Sequence, residues 1–377
     1  MSGIAHHLVK RGIEHTQDRY RTGSFAQDGD NKPFGHPHAV AVALVITSLL
    51  WFFALSAVQY VYGGVVATLT MIETPTATAF KVDPAESDEA DAPLLSNEEK
   101  KSAATEPELF YVKTKPITSK IRTTIRHLVA EAGPWARFRG LQVALAYHFI
   151  HHILLQVLTA LFGGAMISQS LAAVVTAVVL CRLQMLWTHV VISTPSEKKW
   201  YRRFPTIDAG KKIILPTALW ALAEQATIYV PITLFMVFDL EGYLQNPAAF
   251  NELSPMQQKS VMLASFAVMM SGIATAVLIV FPASVTLKRV QASLLPEEND
   301  SIVPFDRTFG GKVQPQVVGG TGVVSILDAW KTFDWAARFR LVKLYAKIFA
   351  IQVSTTILFV LFAVFQVRMI NGDYVLY

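Results

Sequence analysis

Apolar residues in this chain gather into six long stretches nearly free of charge, at 39–72, 141–162, 167–192, 213–238, 260–281 and 344–367. A hydrocarbon core of about 30 Å is crossed by roughly 20 residues of α-helix, so each stretch is long enough to cross once. The stretches are continuous, as in Leu171–Leu180, and do not alternate between apolar and polar positions as the strands of a membrane barrel do. The pattern predicts an all-α integral membrane protein with six transmembrane helices. The first stretch is long: as a straight helix it would reach on the order of 50 Å. It must therefore tilt, bend near Gly63-Gly64, or project beyond the bilayer.

Composition narrows the class further. A chain that is 52% hydrophobic and 16% charged, with mean hydropathy +0.38, is too apolar for an ordinary soluble protein of 377 residues. Residues 1–38 form a polar tail with no short apolar core and no cleavage site of the secretory kind, and Glu14 and Asp18 argue against a mitochondrial presequence. Residues 368–377 form a second short tail. The one cysteine, Cys181, lies inside the third stretch, so no intrachain disulfide can form and the residue reads as a small buried hydrophobe.

Of the 33 Lys and Arg residues, 24 fall in the loops after the first, third and fifth stretches. That bias puts three basic loops on one side and both termini on the other. Because these charges border the membrane among aromatic residues, the expected partner is anionic lipid headgroups rather than nucleic acid. Two segments on the basic side read as weakly structured. Residues 74–108 carry nine acidic residues among Ala, Pro, Ser and Thr, the composition of a disordered linker and a possible contact for a protein partner; residues 295–322 are rich in Gly, Pro, Asp and Gln and read as a flexible loop.

Three pairs of stretches joined by basic loops suggest an internal repeat. A proline follows each odd-numbered stretch, in Thr74-Pro75-Thr76, Thr194-Pro195-Ser196-Glu197 and Phe281-Pro282-Ala283-Ser284. A second signal precedes two even-numbered stretches: Trp135-Ala136-Arg137-Phe138-Arg139 and Trp335-Ala336-Ala337-Arg338-Phe339-Arg340 share an order of aromatic and basic residues. Proline also bounds helices generally, and Trp, Phe and Arg gather at membrane interfaces for reasons unrelated to repeats.

In this layout residues 39–367 resemble the mitochondrial carrier family. The resemblance implies three repeats of two transmembrane helices, each repeat joined by a loop with a short amphipathic helix, and a mitochondrial membrane, with the endoplasmic reticulum as the alternative. Glu197 and Arg202 after Pro195, and Arg289 and Gln291 after Pro282, agree with that family's pattern. Ala77, Ser284, Phe80, Trp200 and Leu287 stand where it places the charges of its salt-bridge gates, so the resemblance implies a carrier without the ionic gates. The chain also resembles a fungal group of multi-pass membrane proteins labelled "ubiquitin carrier protein". Ubiquitin conjugation needs an accessible, reactive cysteine, which Cys181 in mid-membrane does not offer.

Ionisable residues inside apolar stretches are costly and are therefore functional candidates. Arg182 and His189 in the third stretch, and Glu224 beside Gln225 in the fourth, are such residues; an Arg182–Glu224 pair would neutralise both charges in a central cavity or lock two helices. His148, His151 and His152 share a helical face in the second stretch and could converge on a metal, or line a polar cavity. Their spacing resembles one histidine box of membrane di-iron enzymes, but that family needs several boxes and the chain has no second cluster. No catalytic residue, bound metal or cofactor is expected. The leading expectation is a carrier-like scaffold or adaptor in an organelle membrane; the alternatives are a divergent solute transporter and, remotely, a histidine-box metalloenzyme.

Overall fold

The computed structural model describes residues 37–74, 77–81, 109–113, 115–246, 248–314 and 319–371. Among the described residues, five helices are long and apolar enough to cross a membrane: Ala41–Ile72 (span 1), Pro134–Leu161 (span 2), Ile207–Val237 (span 4), Pro255–Ser293 (span 5) and Trp335–Arg368 (span 6). Met166–Val179 and Cys181–Ile192, which meet at 55°, make a sixth if counted as one span 3. Large apolar side chains such as Phe149, Ile167, Leu263, Leu278 and Phe349 are exposed along these helices, the surface a lipid solvent requires.

Three element boundaries differ from the sequence reading. Span 1 contains a π-helical stretch, Gln59–Val66, at the glycine pair where a bend was expected. The ring of Trp187 lies beside Gly64, where an added Cβ would meet its Cζ2 at 3.5 Å, an ordinary van der Waals contact. Span 5 continues past Pro282 to Ser293 instead of ending at Phe281. A second π-helical stretch, Ala276–Val280, widens the helix just before the proline, and Pro282 falls in the first turn of the resumed α-helix, where its missing N–H costs least. Span 4 starts at Ile207, before the apolar run, because the Thr206 side chain caps it by accepting from the Ala209 N–H at 3.3 Å.

The segment expected to be a linker enters the structure as one arm of a two-stranded antiparallel ribbon. Strand β1 (Ala77–Lys81) pairs with β2 (Leu109–Lys113) in a register that sets Phe80 opposite Phe110. The ribbon's base is anchored by buried Glu73, whose carboxylate accepts from the Ile117 N–H, the Thr118 N–H at 3.1 Å and the Thr118 hydroxyl. Residues 82–108, with most of the acidic run, lie outside the described residues, as do Pro75 and the amino-terminal tail to residue 36.

The chain divides into two compact units, Leu55–Gln352 and Met1–Ala54 with Val353–Tyr377. In the smaller unit Trp51 stacks on Phe359 with ring centroids 4.6 Å apart, and Thr47 and Gln366 exchange hydrogen bonds of 3.1 and 2.9 Å. In the larger unit spans 2 and 4 both pack on span 3, span 4 packs on span 5, and the carboxyl-terminal ends of spans 1, 3 and 5 touch one another pairwise. Its core lies at those three ends. Val65, Leu69 and Ile72 of span 1 meet Val191 and Ile192 of span 3 and Ala292 of span 5. Val66, Ala67 and Met71 meet Val285 of span 5 and Leu341, Leu344 and Ile348 of span 6.

Leu295, Ile302 and Val303 belong to the same core, and Phe309 and Val313 to a second one with Cys181, Met185 and Ile213, so among its described residues the stretch 295–322, read from sequence as a flexible loop, is anchored by buried side chains. Its polar composition concealed irregularly spaced apolar anchors.

Candidate functional site

Three helix carboxyl termini brought together concentrate unsatisfied carbonyls and the negative ends of three helix dipoles, so the residues around them must donate hydrogen bonds or carry positive charge. Guanidinium groups meet that demand. Arg289 on span 5 donates to the Met71 carbonyl at 3.0 Å and to the Thr332 hydroxyl at 2.9 Å, and stacks over Phe309 and Phe333. Arg139, near the start of span 2, donates to the Val190 carbonyl at 3.1 Å and to the Ser193 carbonyl at the end of span 3. Arg203 donates to the Ser193 hydroxyl at 2.6 Å, and burial pushes its pKa down from the usual guanidinium range.

The segment after span 5 runs as a strap across the other two ends. The Thr74 N–H donates to the Pro304 carbonyl at 2.9 Å, the Thr194 N–H to the Asp300 carbonyl at 2.8 Å, and the Ile302 N–H to the Ile192 carbonyl at 2.8 Å. Arg307 holds the strap's root through the Leu295, Pro296 and Asn299 carbonyls. Asp306 closes the turn that follows, accepting from the Thr308 N–H at 2.8 Å, the Thr308 hydroxyl at 2.6 Å and the Gly310 N–H at 2.7 Å. Burial alone would raise this carboxyl's pKa; those bonds, with the charge of Arg289, outweigh it and hold the pKa below the ordinary value.

Above the strap lies a polar cluster on spans 3 and 5. Gln291 is fully buried; its amide nitrogen donates to Gln184 Oε1 at 3.3 Å, and its Oε1 accepts from the Thr188 hydroxyl at 2.6 Å. Its backbone carbonyl accepts from His189 Nε2 at 2.8 Å. Lys288, one turn earlier and half-buried, donates to Thr188 Oγ1 at 3.0 Å and stands 4.6 Å from the ring centroid of Trp187. On span 4, which packs against this part of span 5, Glu224 is exposed. No ion pair within 4.0 Å joins it to Lys288; the two ion pairs among the described residues, Lys198–Glu298 and Lys211–Asp208, are both on the surface.

The expected Arg182–Glu224 pair does not form. The 55° break after Val179 puts Arg182 in the second half of span 3, where it donates to the Pro205 carbonyl at 2.6 Å, stacks on Phe204 and fills the space left by Gly210. Gln225 accepts from the Ser170 hydroxyl at 3.2 Å and so ties span 4 to span 3. His189 is buried against a backbone carbonyl and serves packing. His148, His151 and His152 form no group able to hold a metal among the described residues; His148 and His151 flank Tyr147, with ring centroids 5.4 and 5.5 Å away.

The two Trp-Arg motifs resemble each other locally. Trp135 and Trp335 are 78% and 77% exposed while Ala136 and Ala337 are buried, and Arg137 and Arg338 each bond back to a preceding carbonyl, of Pro134 and Phe333. Arg139 and Arg340 part company: Arg340 Nε and Nη2 have no partner, whereas Arg139 caps span 3. Phe138 lies against Trp135 and Phe339 is exposed. Of the repeat prolines, Pro195 follows the end of span 3 as expected and Pro282 lies within span 5. The sequence did not reveal Lys288 as a span residue because the fifth apolar stretch ends at Phe281.

A pocket of about 700 Å³ opens on the basic face, lined by Trp135, Arg139, Lys198, Lys199, Trp200 and Arg203 among others. Arg139 Nη1 is buried with no partner.

Comparisons with known protein families, curated proteins and solved structures return no match for the chain.

Proposed function

We propose that this chain is a carrier-like membrane scaffold: six helices in three pairs, closed on the basic-loop face, which presents that face to protein partners without passing solute through it. The observation that carries the reading is the strap. Opening the face would require breaking the Thr74–Pro304, Thr194–Asp300 and Ile302–Ile192 backbone bonds together with the arginine caps. A transporter that alternates access needs contacts that break and re-form easily; here the span ends are joined mainly by neutral and backbone-directed bonds, and the one ion pair among the described residues that links the segments after spans 3 and 5, Lys198–Glu298, is exposed.

On this reading residues 74–108 supply a contact for a protein partner, and the pocket beside Trp135 and Arg139 receives anionic headgroups of the surrounding membrane. A mitochondrial membrane fits the carrier-like plan; residence of a tagged copy in the endoplasmic reticulum would count against carrier ancestry.

The second reading, a solute transporter, is favoured by the ionisable side chains of Glu224 and Lys288 inside the spans. Purified protein in liposomes, offered a panel of metabolites and nucleotides, separates the two. The scaffold predicts uptake no greater than that of empty vesicles, and saturable uptake abolished by Glu224→Ala would refute it.

A further inference from the structure

We infer that the pocket beside Trp135 and Arg139 binds a phosphomonoester, which carries a charge of about −1.5 to −2 at neutral pH, in preference to a singly charged phosphodiester. Such a site deepens the headgroup reading above and rests on it. Arg139, near the start of span 2, and Arg203, after span 3, converge on one buried residue. Arg139 donates to the Ser193 carbonyl, and Arg203 donates to the Ser193 hydroxyl at 2.6 Å. Two guanidinium groups are thereby held together in the wall of a cavity of about 700 Å³ that Lys198 and Lys199 also line. Among the described residues no Asp or Glu lines it. Of the four cations only Lys198 meets a carboxylate among the described residues, Glu298 at 3.1 Å, in an exposed pair that solvent screens.

Like charges gathered in a partly desolvated cleft repel one another, and a bound anion removes that cost. Arg139 commits Nε and Nη2 to carbonyls of span 3 and keeps Nη1 without a partner. A phosphomonoester presents three acceptor oxygens, enough to meet a guanidinium fork and a lysine ammonium together. Esterifying it a second time removes one of those oxygens and its second charge, so a phosphodiester leaves more of the cluster uncompensated. The aromatic rim sets the depth of the site: Trp135 is 78% and Tyr201 51% exposed, and such side chains sit at the level of headgroups. A lipid phosphomonoester is the nearest source, and a water-soluble phosphate ester is the other.

Melting of the purified full chain in detergent, followed at increasing concentrations of dioctanoyl phosphatidate, dioctanoyl phosphatidylglycerol and glycerol 3-phosphate, tests the assignment. Phosphatidate is expected to raise Tm saturably at about tenfold lower concentration than phosphatidylglycerol. A response to glycerol 3-phosphate as strong as that to phosphatidate assigns the pocket to a soluble ester and a weaker one assigns it to lipid; both support the phosphomonoester. Arg203→Gln and the exposed Lys199→Gln each weaken the phosphatidate response, whereas Lys211→Gln, a surface substitution outside the pocket, retains it. Equal responses to the two lipids would overturn the inference and leave the headgroup reading standing. No response to either lipid would overturn both, and a phosphatidate response that survives Arg203→Gln and Lys199→Gln would overturn the placement in this pocket.

Discussion

Gln291 shows how much a single buried amide can hold. It gives its amide to Gln184, takes the hydroxyl of Thr188, and through its carbonyl fixes His189. Replacing it with Met, similar in length but without polar atoms, leaves Gln184 and Thr188 short of a partner in a dry interior, at a cost of about 1–3 kcal/mol for each group orphaned. Gln291→Met is therefore expected to lower Tm while leaving far-ultraviolet circular dichroism unchanged; an unshifted Tm would mean that the cluster contributes little. Gln291 was legible in the sequence because it stands at a family-like distance from Pro282. Lys288 was not, because a proline after an apolar run reads as a helix end, and only the π-helical stretch before it lets the helix continue. Arg182 was legible as an unusual residue but not as a partner, since nothing in Thr176–Arg182 announces a 55° break without glycine or proline.

At the level of elements, the strap depends on the Asp306 turn. A carboxyl whose folded pKa is held below the ordinary value contributes stability above that value and loses it as pH falls through the folded pKa. Asp306→Asn is expected to destabilise the protein at neutral pH, and the difference from wild type should shrink below about pH 4 as the native carboxyl takes up its proton. Melting curves across that range check it, and a difference independent of pH would show that hydrogen-bond geometry rather than charge holds the turn. The helices themselves were largely legible, because unbroken apolar length is a strong signal. The strap was hidden because its polar composition suggested a loop, while Ile302, Val303 and Phe309 are anchors spaced too irregularly for either helix or strand periodicity to reveal.

At the scale of the larger unit, the three odd-numbered span ends, the arginine caps and the strap act together to close one face. The charge bias was legible, and it survives the transfer of Lys288 and Arg289 from loop to span; closure was not, because it depends on which carbonyls the arginines meet. Cys181 is the only native cysteine, so a Cys181→Ser background allows a single reporter. Thr227 lies one turn beyond Glu224 on span 4, farther from the basic loops, and Thr227→Cys leaves Glu224 in place. In oriented vesicles a membrane-impermeant thiol reagent should label the Thr227→Cys variant from the less basic side and not from the basic-loop side. Labelling from the basic-loop side would show that the face opens and would contradict the account.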